Sequence, residues 1–175
     1  MAETCLHRIG RDLESIHVTD KLEYKRPDMT DPGDPHRFVG ETIDAGGSPF
    51  SKLRFTAFAH LPFGNKPAGG IAEIIYYVQM AEDGTFLLRR SDHLFPYPVF
   101  EQRSTDPILC RQVRSFVLRF YDEEGEASDR WDSDRDTSKY ATPRSVGIEL
   151  AFGDAAAPYF FKTRVMLPVY RGKTG

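Results

Sequence analysis

The sequence predicts an α+β fold in which an N-terminal amphipathic helix packs on antiparallel β-sheet. Three observations carry this expectation. A stripe of apolar residues with helical spacing stands at the start of the chain, seven strand-like segments follow it, and turn sequences rather than helices join several of those strands. Parallel strands need long crossover connections, so short turns favour antiparallel pairing. A chain of 175 residues with 40% hydrophobic and 28% charged content has a globular balance and is long enough for one core, so residues 1–175 read as a single domain.

In the first segment, Leu6, Ile9, Leu13 and Ile16 recur at the three- and four-residue spacing of one helical face, while Arg8, Arg11, Asp12 and Glu14 fall largely outside it. A helix is expected within residues 2–22. It lacks a start signal: Thr4 is followed three positions on by His7, not by the Glu or Gln of a capping box. Gly10 inside it costs about 1 kcal/mol relative to Ala. Pro27, Pro32 and Pro35 then mark a turn-rich connector from Tyr24 to Pro35.

The antiparallel β domain is expected over residues 36–170. Its strand segments are Arg37 to Ile43, Leu53 to His60, Ile71 to Met80, Thr85 to Arg90, Val113 to Tyr121, Val146 to Phe152 and Tyr159 to Leu167, each rich in β-branched and aromatic residues. Alternation is plain where Phe116, Leu118 and Phe120 interleave with Val117, Arg119 and Tyr121. Ala81-Glu82-Asp83-Gly84 and Asp122-Glu123-Glu124-Gly125 read as hairpin turns, with Gly supplying a positive φ. Gly46-Gly47 and Gly69-Gly70 read as loop glycines. The aromatic residues Phe55, Phe58, Phe86, Phe116, Phe120 and Phe160 read as core.

Composition narrows the function. Lys and Arg number 23 against 26 Asp and Glu, a net charge of −3, which argues against nucleic acid because phosphate-backbone affinity needs a basic excess. No run approaches the ~18–20 apolar residues that span a bilayer; the most apolar stretch, Ile71 to Met80, contains Glu73 and Gln79. Met1-Ala2-Glu3-Thr4 has neither the basic nor the apolar part of a secretory signal. No nucleophile elbow, phosphate loop or dinucleotide turn is present, and His7, His17, His36, His60 and His93 fall in no metal-ligand spacing. An enzyme would need a dispersed site.

Three features keep alternatives open. Asp132, Asp134 and Asp136 match the first three ligand positions of a calcium loop. Thr137 replaces the turn glycine, Pro143 the bidentate Glu, and Arg135 adds a cation, so a polar loop competes with a calcium site. In Phe95-Pro96-Tyr97-Pro98-Val99-Phe100 two prolines exclude a central strand, leaving Phe95, Tyr97 and Phe100 either as a surface contact for a partner or as a loop packed over the sheet. Cys5 and Cys110 are either two inert buried thiols or, in an oxidising compartment, a disulfide.

The order of segments carries a resemblance. Leu53-Arg54-Phe55-Thr56-Ala57-Phe58, Glu73-Ile74-Ile75-Tyr76-Tyr77-Val78, Gly84-Thr85-Phe86-Leu87-Leu88-Arg89-Arg90, Gln112 to Asp122 and Thr142-Pro143-Arg144-Ser145-Val146-Gly147-Ile148-Glu149-Leu150 follow the helix in sequence. Over roughly residues 3 to 170 the chain resembles the soluble part of minor pseudopilin J of the type II secretion pathway. The arginine pair closing a hairpin, the Tyr-Asp turn followed by Trp131, and the Pro-Arg opening of the next strand are its most specific parts.

The resemblance implies a pilin-like fold and a structural, non-enzymatic role without a cofactor: a periplasmic domain of an inner-membrane-anchored subunit, at the pseudopilus tip with the I and K minor pseudopilins. It implies that residues 2–22 are the C-terminal half of a pilin helix, and that Leu6, Ile9, Leu13 and Ile16 serve both the sheet and a neighbouring subunit's helix. The peptidase site, the mature N-terminal Phe with its Glu, and the apolar half-helix of such proteins are not among these residues. The expectation is therefore a chain shortened at its start, with Met1-Ala2 as added residues. A minor pilin of a type IV pilus would give a similar pattern, and a calcium-binding β domain built on Asp132–Asp136 is the alternative from another class.

Overall fold

The computed structural model describes residues 2–61 and 69–174, so Met1 lies outside the described residues. The N-terminal helix, α1, spans Ala2–Glu14, shorter than the expected 2–22. It ends where Ser15 donates both its N–H and its hydroxyl back to the carbonyl of Asp12. Ser15 then accepts from the Phe58 amide at 2.9 Å, and β1 (Ile16–His17) pairs antiparallel with β3 (Ser48–Ala57). Ile16 continues the buried stripe, but from a strand. Its apolar spacing is compatible with a helix, and the backbone hydrogen bonds offered by β3 decide against one.

The remaining strands are β2 (Val39–Ala45), β4 (Ala72–Met80), β5 (Phe86–Leu94), β6 (Ile108–Cys110), β7 (Val113–Tyr121), β8 (Ala127–Ser128), β9 (Trp131–Asp132), β10 (Ser145–Phe152) and β11 (Tyr159–Met166). All seven expected strands are present, β7 with the expected bounds and the other six with shifted ends, and β1, β6, β8 and β9 are short additions. Gly46 and Gly47, expected as loop glycines, form a two-residue turn between Ala45 and Ser48, both with positive φ, the geometry that matches the twist of a hairpin. The turns at Ala81–Gly84 and Asp122–Gly125 also close as expected, each with the glycine N–H donating to the first carbonyl.

The strand order is β11-β10-β7-β3-β4-β5-β6, with β1 and β2 on the other side of β3. One pairing departs from the antiparallel expectation: β3 and β7 meet in parallel at a single bridge, Phe50 to Phe116. Two antiparallel groups are thus stitched at one point, and Ser51 reinforces it by accepting from the Leu118 amide while bonding Thr42. Gly40 of β2 lies so close to Phe120 of β7 that a Cβ would fall 2.0 Å from the ring. Only a residue without a side chain lets the two strands cross there.

Both end strands of this order, β11 and β6, contact α1, so the sheet curls around the helix. Cys5, Ile9 and Leu13 are buried in one cluster with Phe38, Phe55, Phe116, Phe120 and Ile148. Each large aliphatic side chain buried this way contributes about 1.5–3 kcal/mol. Phe55, Phe116 and Phe120 are core as expected, and Phe86 packs at the edge of that cluster. Phe58 and Phe160 correct the expectation, being 61% and 75% exposed. Phe160 pairs with Ala151 on the face turned away from the helix, and Phe58 lies past the end of β3, edge-on to His17. Among the described residues, no helix is long and apolar enough to cross a membrane.

Candidate partner-binding surface

The inner face of α1 is fixed by charge as well as by packing. Asp12, 1% exposed, accepts from Arg90 Nε at 2.6 Å and from the Tyr76 hydroxyl at 2.5 Å, and Arg8 pairs with its other oxygen at 2.7 Å. Arg90 is fully buried and also donates to Asp92 at 2.7 Å and to the Ala59 carbonyl at 2.8 Å. Burial alone would raise the Asp92 carboxyl, but hydrogen bonds from Arg90, His60 and the Leu61 amide outweigh it and hold its pKa below the ordinary carboxylate value. Burial and the Asp12 charge push the Tyr76 phenol far up. This network joins α1 to β4 and β5, and breaking one buried partner strands the other's charge.

Sequence reasoning placed Asp12 outside the buried stripe and gave Arg90 no role. A signal existed: Cys5, Ile9, Asp12, Leu13 and Ile16 share one helical arc, so Asp12 is a carboxylate on the apolar face. Such a group has to find a cation.

A second network surrounds Arg171, which is 1% exposed. Its guanidinium donates to Asp34 at 2.8 Å, to the Ser133 carbonyl at 2.9 Å and to the Tyr140 carbonyl at 2.8 Å, and lies 3.6 Å over the Tyr24 ring. The Asp132–Asp136 loop belongs to this region. Asp132 is paired with Arg37, and Asp134 accepts from the Tyr24 hydroxyl at 3.0 Å and the Asp34 amide at 2.9 Å. Asp136 is exposed at the start of a 3-10 turn, Asp136–Ser138. The three carboxylates therefore diverge, and arginine and tyrosine donors occupy the first two. Among the described residues no group of three or more His, Cys, Asp or Glu is arranged to hold a metal.

The Phe95–Phe100 segment is divided. Tyr97 donates to the Ile71 carbonyl at 3.1 Å, and Phe100 packs edge-on to Tyr77 beneath Lys52. Phe95 and Val99 are 73% and 88% exposed. Two of the three expected contact residues thus hold the loop on the sheet, and Phe95 remains on the surface.

The helix stripe needs the larger correction. Ile9, Leu13 and Ile16 are at most 3% exposed, so in this fold they pack within their own domain and cannot also meet a neighbouring helix. The curled sheet already covers them. Leu6 alone of the four is half-buried, at the margin of the core.

Leu6 instead belongs to a groove between α1 and β11, floored by Gly10, Phe161, Val165 and Met166 and rimmed by Arg11, Glu14 and Arg164. Phe161 stacks on Phe152, which also stacks on Tyr159, extending the apolar floor along the edge strand. Among the described residues no strand pairs with the outer edge of β11. Unpaired edges and exposed apolar grooves are features of surfaces that bind other chains.

A domain whose buried charges hold a helix in place, and whose open apolar surface runs along that helix and a sheet edge, has the form of an assembly module. The family model for type II secretion system protein J matches residues 3–159, and the chain belongs to that family. It is accordingly a minor pseudopilin, a component of protein transport by type II secretion. No curated protein matches the chain significantly.

Proposed function

We propose that this chain is the periplasmic domain of an inner-membrane-anchored, non-enzymatic tip subunit of the type II secretion pseudopilus, pilin-like in its packing and joined to the I and K minor pseudopilins. The observation that carries the reading is the groove between α1 and β11. The helix is held rigidly by Asp12 and Arg90 on its inner side, while its outer side, with Arg11 and Glu14, stays exposed beside Phe161 and Met166. A neighbouring helix laid along that groove would bury apolar floor and pair with the charged rim. Because the Asp12–Arg90 pair and the core tie α1 to the sheet, docking one helix also sets the position of the whole domain. The family match favours a secretion pseudopilus over a type IV pilus.

The test is association with the cognate I-type soluble domain, followed by analytical ultracentrifugation. A complex is expected, weakened at least about tenfold by Leu6→Glu or Phe161→Ala, a loss of about 1.4 kcal/mol. No complex at tens of micromolar would overturn the reading, and equal binding by both variants would remove the groove from it.

A further inference from the structure

We infer that Cys5 and Cys110 form a disulfide that staples α1 to β6 during folding in an oxidising compartment; this rests on the periplasmic placement proposed above. The chain has two cysteines, one in the N-terminal helix and one well beyond the middle of the sequence. The fold brings both into the same buried cluster, 1% and 0% exposed. They stand on elements in contact, because β6, the strand that ends one side of the sheet, packs against α1. Among the described residues neither sulfur is committed elsewhere in a strong interaction, and Cys110 makes a long contact of 3.7 Å to the carbonyl of its neighbour Arg111.

Both are thiols in this structure. Burial first, and then the nearby Cys110 sulfur, push the Cys5 pKa up to about 12, so the folded thiol at neutral pH carries only about one part in 10⁵ of reactive thiolate. Exchange must therefore precede the docking of α1. A protein disulfide is the oxidant: one cysteine thiolate attacks it and expels one of its sulfurs as a thiol, forming a mixed disulfide. The second cysteine thiolate then attacks the mixed disulfide at the first cysteine and expels the oxidant's other sulfur. Two S–H bonds of the chain are lost, one S–S bond forms, and the oxidant's disulfide is reduced to two thiols.

The staple would bind α1 to one lip of the curled sheet and leave the opposite lip, β11, free for a partner. The experiment refolds the reduced, denatured domain in a glutathione redox buffer and reads intact mass and a non-reducing peptide map. Expected are a mass lower by about 2 Da, a linked peptide containing Cys5 and Cys110, and a melting temperature that drops on adding reductant. Cys5→Ser and Cys110→Ser should each abolish the mass change. Full alkylation of both thiols after refolding, or a link formed only between two copies, would overturn the inference. Either result would leave the pseudopilin reading intact, because association with the I-type domain is measured separately.

Discussion

Replacing Asp12 with alanine tests the claim that charge as well as packing fixes the helix. The substitution removes one carboxylate and strands three donors: Arg90 Nε, the Tyr76 hydroxyl and Arg8. Arg90 is fully buried and, among the described residues, keeps Asp92 and the Ala59 carbonyl. Since Asp12 and Arg90 are shielded from solvent, water screens little of the loss. Removing one partner of a buried pair costs about 3–5 kcal/mol, a large part of the ~5–15 kcal/mol that holds a domain folded. At about 2–4 °C per kcal/mol for a chain of this size, the melting temperature should fall by about 6–20 °C. Urea unfolding followed by circular dichroism measures the same loss as a free energy. Asp12→Asn should fall between wild type and alanine, because the amide oxygen can still accept from Tyr76. The double change Asp12→Ala with Arg90→Met should recover part of the loss by removing the stranded charge. An Asp12→Ala protein within about 1 kcal/mol of wild type would refute the reasoning.

Other outcomes follow from the same geometry. Gly40→Ala should destabilise by about 1–3 kcal/mol or more through overpacking against Phe120, read as a lower urea midpoint; an unchanged midpoint would mean that β2 and β7 can separate freely. Stability should fall in acid. His36 is held below its ordinary 6.5 by burial and by His17, so the unfolded chain takes up the proton first and stability declines as pH drops through 6.5 toward the folded value. Asp34, Asp92 and Asp132 lie below 3.8 because donors outweigh burial, so their contribution is present above about pH 5 and is lost as pH falls through 3.8 and below. Melting temperature against pH measures both, and His36→Gln should flatten the upper portion; a wild-type profile flat from pH 7 to 4 would contradict this. Millimolar calcium should leave the melting temperature unchanged, because Arg37 and Tyr24 already occupy Asp132 and Asp134; a rise of several degrees would restore the calcium reading.

The strands were legible because alternation is a local property: Val113 to Tyr121 reads as a strand wherever it is placed, and its observed bounds match the expected ones. The ordered strand motifs likewise pointed to the protein J family before any geometry was available. The length of α1 was not legible, because Ile16 fits either a helix or a strand and only its pairing with Ala57 decides. Phe160 and Phe161 are the same residue type side by side, and which of them faces the helix depends on the β10–β11 register.

By itself, then, the sequence determined the class, an amphipathic helix followed by mainly antiparallel β-structure, and the family, since both are encoded in local pattern and order. Only the tertiary structure decided which apolar surfaces remain open. The curl of the sheet covers Ile9 and Leu13 from both ends, and the Asp12–Arg90 pair closes the inner face. Of the stripe, only Leu6 stays half-open, beside Phe161 in the groove between α1 and β11. Burial is a property of the whole packed chain: the stripe that looked like an interface is core because distant strands, β6 and β11, both close on the same helix.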